Sequence, residues 1–233
     1  MLPGTIPVII NNFNRYASVR ALVQWLQHLS VPTSLVILDN HSTYPPLLEY
    51  YDTLNEPGLQ VVRLKKNHEL GMVLPSTMVL NEFEKYVVTD ADLLPYPSTP
   101  PDMLEQMMLA LDKYPYLNHV GASLEVQDIP AHYPLCKEVR RWEQQYWCHK
   151  AEPEGYRACI DTTFAMYRRT SQVNLVAPAM RLDRPYTLRH LDWYIDPDDM
   201  TEEYRYYLHH CTTISTWNTK LRTELSAKAA LPA

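Results

Sequence analysis

Residues 6–11, IPVIIN, form a compact apolar run rich in β-branched side chains, the pattern of a strand buried on both faces. Directly after it, Val19, Leu22, Val23, Leu26 and Leu29 recur at helical spacing within RYASVRALVQWLQHL. The alternation continues along the first half. SLVILD (34–39), LQVVRL (59–64) and KYVVTD (85–90) read as strands. YPPLLEYYDTLN, with Pro45 and Pro46 at a helix start, MVLPSTMVLNEFEK, with Pro75 opening or kinking it, and PPDMLEQMMLALDKY (100–114) read as helices. Strands alternating with helices over short joins predict an α/β fold, a mostly parallel sheet flanked by helices.

The second half is less regular. HVGASLEV (119–126) and ACIDTTFAMYRR (158–169) read as strands, and PLCKEVRRWEQQYWCHK (134–150) as a helix. RLDRPYTLRHLDWYIDPDDM (181–200) reads as loop with short elements. Thr201 with Glu202 and Glu203 marks a helix start. No repeat or low-complexity linker divides the 233 residues, so one domain is expected, residues 1–96 forming one half and 97–233 the other.

Ligands of such sheets sit beyond the carboxyl ends of the strands. That places Asn11–Asn14, Asp39–Thr43, Lys65–Gly71 and Asp90–Asp92 around one crevice. The last of these stands out, because YVVTDADLLPYP ends an apolar strand in two carboxylates one residue apart. In an extended segment residues two apart share a face, so both carboxylates can approach one cation. A hard divalent ion would cancel their repulsion and bridge to phosphate oxygens. Asp is also a turn and cap residue, and Asp196-Pro-Asp198 repeats the spacing without the strand.

Composition narrows the partners. A net charge of -6 without Lys/Arg runs argues against nucleic-acid binding. Five glycines leave little for a glycine-rich phosphate loop, and 17 tyrosines suit stacking on sugars and bases as well as half-buried packing. No transmembrane segment is expected, since no run approaches the ~20 apolar residues of a membrane span. The opening MLPGTIPVIINNFNR lacks signal-peptide features, and the four cysteines form no CxxC pair. Reduced thiols and a cytoplasmic location are the expectation.

PVIINNFNR, VILDNHST, KKNHELG and YVVTDADLLP, in this order, resemble the nucleotide-sugar-binding half of GT-A-fold glycosyltransferases, in particular family 2 and its compact viral and bacterial relatives. The resemblance covers residues 6–96. It implies that Asn11, Asn12, Phe13, Arg15 and Asp39 hold the base and ribose of a nucleotide-sugar donor, with Asn67 and Gly71 a looser correspondence. It also implies that Asp90, Ala91 and Asp92 are a DXD motif. Asp92 would ligate Mn2+ or Mg2+, and Asp90 would reach ribose or the ion's water. The implied reaction moves a hexosyl or deoxyhexosyl group from a donor, UDP-linked by resemblance, to a glycan or other hydroxyl acceptor.

Two residues of the second half complete this expectation. Asp161 lies in an otherwise apolar run, where an ionised carboxylate must face a crevice or a partner such as Arg157 or Arg168. The resemblance makes it the general base, with Glu143 and Asp192 in reserve and inversion as the outcome. His190 corresponds to a late histidine that several such enzymes give to the metal or diphosphate, and it could equally be structural. Arg184, Arg189 and Lys66 are cations for the diphosphate or plain surface. Trp142, Trp147, Trp193 and Tyr194 are a sugar-stacking wall or core.

Other classes fit less well. A haloacid-dehalogenase-like phosphatase wants Thr or Val where Leu94 stands, and its motif on the first strand. A nucleotidyltransferase needs a glycine-rich loop where NNFNRYAS has none. A non-catalytic nucleotide-sugar-binding module would share every feature above.

Overall fold

The computed structural model describes residues 2–68, 83–160, 163–169, 178–211, 217, 219 and 221–223. In chain order the first half runs β1 (Ile6–Asn12), α1 (Tyr16–Leu26), β2 (Thr33–Asp39), α2 (Pro45–Thr53), β3 (Leu59–Arg63), β4 (Lys85–Asp90), β5 (Leu93–Pro95) and α3 (Met103–Lys113). The second half adds β6 (His119–Gly121), β7 (Ser123–Leu124), α4 (Cys136–Glu143), β8 (Lys150–Glu152), β9 (Gly155–Arg157), β10 (Ala165–Arg168), β11 (Ala179–Leu182), β12 (Thr187–His190) and α5 (Glu202–His210).

Nine strands form one sheet in the order β3-β2-β1-β4-β10-β6-β11-β9-β8. Its first four are parallel, as the strand–helix alternation predicts. Beyond β4 the sheet is mixed: β10 runs antiparallel to both β4 and β6, and β11 is parallel to β6. The central strands are buried on both faces, which is why they read as continuous apolar runs. Side-chain alternation splits them between two cores. Val8, Ile10, Leu35, Ile37 and Val87 pack with Val19, Leu22 and Leu26 of α1 and Leu104, Met107 and Leu111 of α3. Ile9, Leu38, Tyr86 and Val88 face the other side with Ala165 and Tyr167.

The irregular second half holds the departures from expectation. The 119–126 segment is two short strands in different sheets, because β7 leaves for a three-stranded sheet of order β5-β12-β7. Gly121 sits at that exit, where a Cβ would stand 2.7 Å from the Phe164 carbonyl oxygen. The helix expected over 134–150 stops at Glu143 and tightens into a 3-10 turn, Gln144–Trp147, before β8. The strand expected over 158–169 is described as Ala165–Arg168. The helix expected at MVLPSTMVLNEFEK falls almost wholly outside the described residues.

The second core contains a ring stack: His119 on Tyr167 at 4.7 Å and Tyr167 on Tyr86 at 5.6 Å between centroids. His119 is fully buried, and burial pushes its imidazole down to about 4. The folded chain therefore refuses a proton that an unfolded histidine accepts below about pH 6.5. This contribution is complete above that value and is lost as pH falls toward the folded pKa. Between about pH 7 and pH 5 the loss should approach about 2 kcal/mol. His119→Phe, which keeps a ring in the stack, should flatten that portion of the urea-unfolding free energy against pH.

Candidate active site

The loops after β1, β2 and β4 are tied to one another at the carboxyl ends of the strands. Asn40 donates its backbone N–H to the Asn12 carbonyl at 2.8 Å, and Ala91 donates to the Asn11 carbonyl at 3.0 Å. Asn14 adopts the left-handed conformation (φ 53°), which asparagine tolerates. Its Oδ1 accepts from the backbone N–H groups of Thr43 at 2.7 Å and Tyr44 at 2.9 Å. Asp39 is fully buried, and it accepts from the Ser42 backbone N–H at 3.1 Å and the Tyr51 hydroxyl at 3.2 Å. Arg63 lies 3.4 Å from the same carboxylate. Asn12 donates to the Tyr51 hydroxyl at 2.7 Å. Burial, with the Asp39 charge beside it, pushes the Tyr51 hydroxyl far up, so it stays a proton donor.

Asp90 closes β4, while Ala91 and Asp92 form a two-residue turn into β5, so the acidic pair is bent and not extended. The small sheet then decides what Asp92 meets. β12 runs antiparallel to β5 with His190 opposite Leu93, and Leu191 donates its N–H to the Asp92 carbonyl at 2.8 Å. A 3-10 turn, Leu191–Tyr194, follows and carries Asp192 to the same place.

Four charged or titratable side chains converge there. The Arg15 guanidinium donates to Asp192 Oδ1 and lies 3.7 Å from Asp92 Oδ2. His190 Nδ1 lies 3.6 Å from that same Asp92 oxygen. Arg15 sits over the rings of Tyr207 at 4.6 Å and Tyr204 at 4.8 Å, and His190 stacks on Trp193 at 4.8 Å. Burial opposes the charge on Arg15, but Asp192 and Asp92 outweigh it and lift its pKa further. Burial likewise opposes protonation of His190, and Asp92, Asp192 and Asp90 together raise it nonetheless. Burial, with the Asp92 charge nearby, lifts the Asp192 carboxyl, and the Arg15 guanidinium pulls it only part of the way back. Arg15 Nη1, His190 Nδ1, Trp193 Nε1 and the Tyr204 hydroxyl are buried without a hydrogen-bond partner among the described residues. Such atoms are costly in a finished core and common where a ligand completes the site.

No family model matches the chain, and no curated protein matches it in sequence. Solved structures do match in shape. One is a mannosyltransferase, PcManGT from Pyrobaculum calidifontis in complex with GDP-Man and Mn2+. It aligns over 98% of this chain and 76% of its own at 15% identity and a TM-score of 0.51. TarS residues 1–349 from S. aureus align over 95% of this chain and 70% of their own at 13% identity and 0.53. The same protein in complex with UDP-GlcNAc gives 15% and 0.52, over 95% and 71%. The fold is GT-A.

Within this GT-A fold the sequence-nominated residues separate into groups. Asp92 and His190 meet, with Asp192 beside them. Asn11 and Phe13 are partly exposed at the strand ends, Phe13 edge-on to Tyr207 at 6.3 Å between centroids, and Asp90 is partly exposed at the end of β4. Ala91 is buried in the turn. Asn12 and Asp39, expected to reach a nucleotide, are closed off from solvent and hold the loops from behind. Arg15, expected on the nucleotide as well, is turned onto the carboxylates of Asp192 and Asp92. Asn67 accepts from the Asn40 amide at 2.8 Å. Gly71 and Asp161 lie outside the described residues.

Several secondary nominations are redirected. Arg184 pairs with Glu125 at 2.9 Å over the ring of Trp147, and Arg189 pairs with Asp128 at 2.7 Å, so neither is a spare cation. Tyr194 donates to Asp128 at 2.6 Å. Trp142 is half exposed and not core. The sequence reading passed over Tyr204 and Tyr207, whose i, i+3 spacing on the TEEYRYYLHH helix sets both on one face. Glu143, a reserve base, accepts from Arg181 at 2.8 Å in a pair only 2% and 3% exposed. Glu143→Ala should therefore cost about 3–5 kcal/mol in chemical denaturation, and Glu143→Leu combined with Arg181→Met should recover most of it.

Proposed function

We propose that the protein is a divalent-cation-dependent glycosyltransferase. It moves a hexosyl or deoxyhexosyl group from a nucleoside diphosphate sugar, uridine being the first choice of base, to an acceptor hydroxyl. The observation that carries this reading is the pairing of Asp92 Oδ2 with the unpartnered His190 Nδ1, 3.6 Å apart beyond the carboxyl ends of the parallel strands. No group of three or more His, Cys, Asp or Glu side chains able to hold a metal occurs among the described residues. Two protein ligands suit an ion whose other positions belong to water and donor phosphate oxygens; the carboxylate serves Mn2+ or Mg2+, and the imidazole beside it tilts the preference toward Mn2+. When bound, the ion supplies Lewis-acid stabilisation of the charge on the departing diphosphate. The GDP-Man, UDP-GlcNAc and Mn2+ found with proteins of this fold support the donor class and the cofactor.

The chain's own residues do the rest. Residues 1–96 form the donor half: Asn11, Phe13 and Asp90 present polar and aromatic surface to base and ribose, while Asn12, Asp39 and Asn67 keep the loops in register. Residues 97–233 form the acceptor half of the same domain. Asp161 is the base: it takes the acceptor proton as the hydroxyl oxygen bonds to the anomeric carbon and the bond to diphosphate breaks on the opposite face, giving inversion. A glycan is the acceptor class. No helix among the described residues is long and apolar enough to cross a membrane, and a cytoplasmic site of action is part of this reading.

Nucleotide release from a panel of UDP- and GDP-sugars should require Mn2+ or Mg2+ and stop with EDTA. Asp92→Ala should lower it on the order of a hundredfold or more; turnover left intact by that variant would refute the reading. Asp161→Asn should cut turnover while sparing donor affinity, and an equal loss of both would return Asp161 to structure.

A further inference from the structure

Arg15 has two carboxylates within reach and uses them unequally. It makes a direct hydrogen-bonded contact to Asp192 Oδ1, whereas Asp92 Oδ2 stands 3.7 Å away, beyond a charge-assisted hydrogen bond. The rings of Tyr204 and Tyr207 seat the guanidinium from its faces. The neglected oxygen is the one that lies 3.6 Å from His190 Nδ1. A permanently charged guanidinium that closed the remaining gap, less than about an ångström, would occupy the lone pairs an incoming cation needs. It would also bring its full positive charge closer to that cation in a site where all four side chains are mostly buried and weakly screened.

We infer that Asp192 is a positioning residue: it holds Arg15 off Asp92 and so sets the affinity of the site for its divalent cation. The inference rests on the reading of Asp92 as a metal ligand and adds to it a competition inside the protein between a resident guanidinium and the exchangeable ion. Neither Arg15 nor Asp192 touches the ion in this scheme. Arg15 is the competitor, Asp192 the residue that occupies it, and the two tyrosines limit its swing.

Mn2+ titrated calorimetrically into the full chain in saturating UDP tests this. Asp92→Ala should abolish binding at the site; if it binds Mn2+ like the wild type, the metal assignment falls and takes this inference with it. Given that loss, Asp192→Asn should weaken Mn2+ about tenfold or more, the scale of an added unit charge at a partly screened site. Adding Arg15→Gln to Asp192→Asn should restore binding to within about threefold of wild type, and this rescue should exceed the gain that Arg15→Gln gives alone, a non-additivity that two independent charges would not show. The double variant removes both charges of a buried pair, a change that folds tolerate. Arg15→Gln alone should bind Mn2+ at least as tightly as the wild type, and it supplies the test should Asp192→Asn fail to fold. Unchanged affinity in Asp192→Asn, a loss that Arg15→Gln does not rescue, or a loss in Arg15→Gln alone would overturn the inference while leaving Asp92 as a ligand.

Discussion

Two carboxylates drawn out of water at one point repel each other and lose their hydration, and a chain that brings them together has to supply positive charge at the same place. Here the antiparallel pairing of β5 with β12 sets the turn after β4 against the turn after β12, so that Asp92 and Asp192 meet. Arg15, from the loop after β1, lies between them. This triad joins three segments distant in sequence and gives the crevice its charge. It sets two carboxylates against one guanidinium, and the same carboxylates draw His190 toward protonation.

The surroundings make sense as support for that cluster. Thr201 caps α5 by accepting from the Tyr204 backbone N–H at 3.2 Å, and the helix then presents Tyr204 and Tyr207 to Arg15. Glu203 accepts from the Ala17 backbone N–H at 2.9 Å at the start of α1, so the same helix is pinned to the element that follows Arg15. Behind the crevice, Asn14 and the Asp39–Tyr51–Asn12 relay satisfy the loop donors internally and free the outer edges of the strand-end loops for a ligand. The buried pair of Glu143 with Arg181 has a different office, locking α4 to β11 in the second half.

Much of the candidate site was legible before any coordinates because parallel sheets impose a rule: polar residues at the ends of buried apolar strands converge. That rule located Asn11, Asp39, Asp90 and Asp92 without knowing their contacts. It could not say which polar ends face a ligand and which face inward, since a hydrogen-bonded loop support and a ligand contact have the same sequence signature. Asp39 and Asn12 are buried and hydrogen-bonded to the loops and to Tyr51. Arg184 and Arg189 were misjudged for a similar reason: a cation's partner is a matter of three-dimensional distance, and Glu125 and Asp128 lie about sixty positions away.

What the sequence determined by itself is the first half of the fold and the position of the acidic turn, because local periodicity and nearest-neighbour strand pairing carry that information. The tertiary structure alone decided the mixed order of the second half, where strands of two to four residues are too short to show a period and pair across the chain. It alone decided that Arg15 serves Asp192 and that His190 reaches Asp92. Ion pairs depend on distance through space, and Arg15 and Asp192 are 177 positions apart in the sequence.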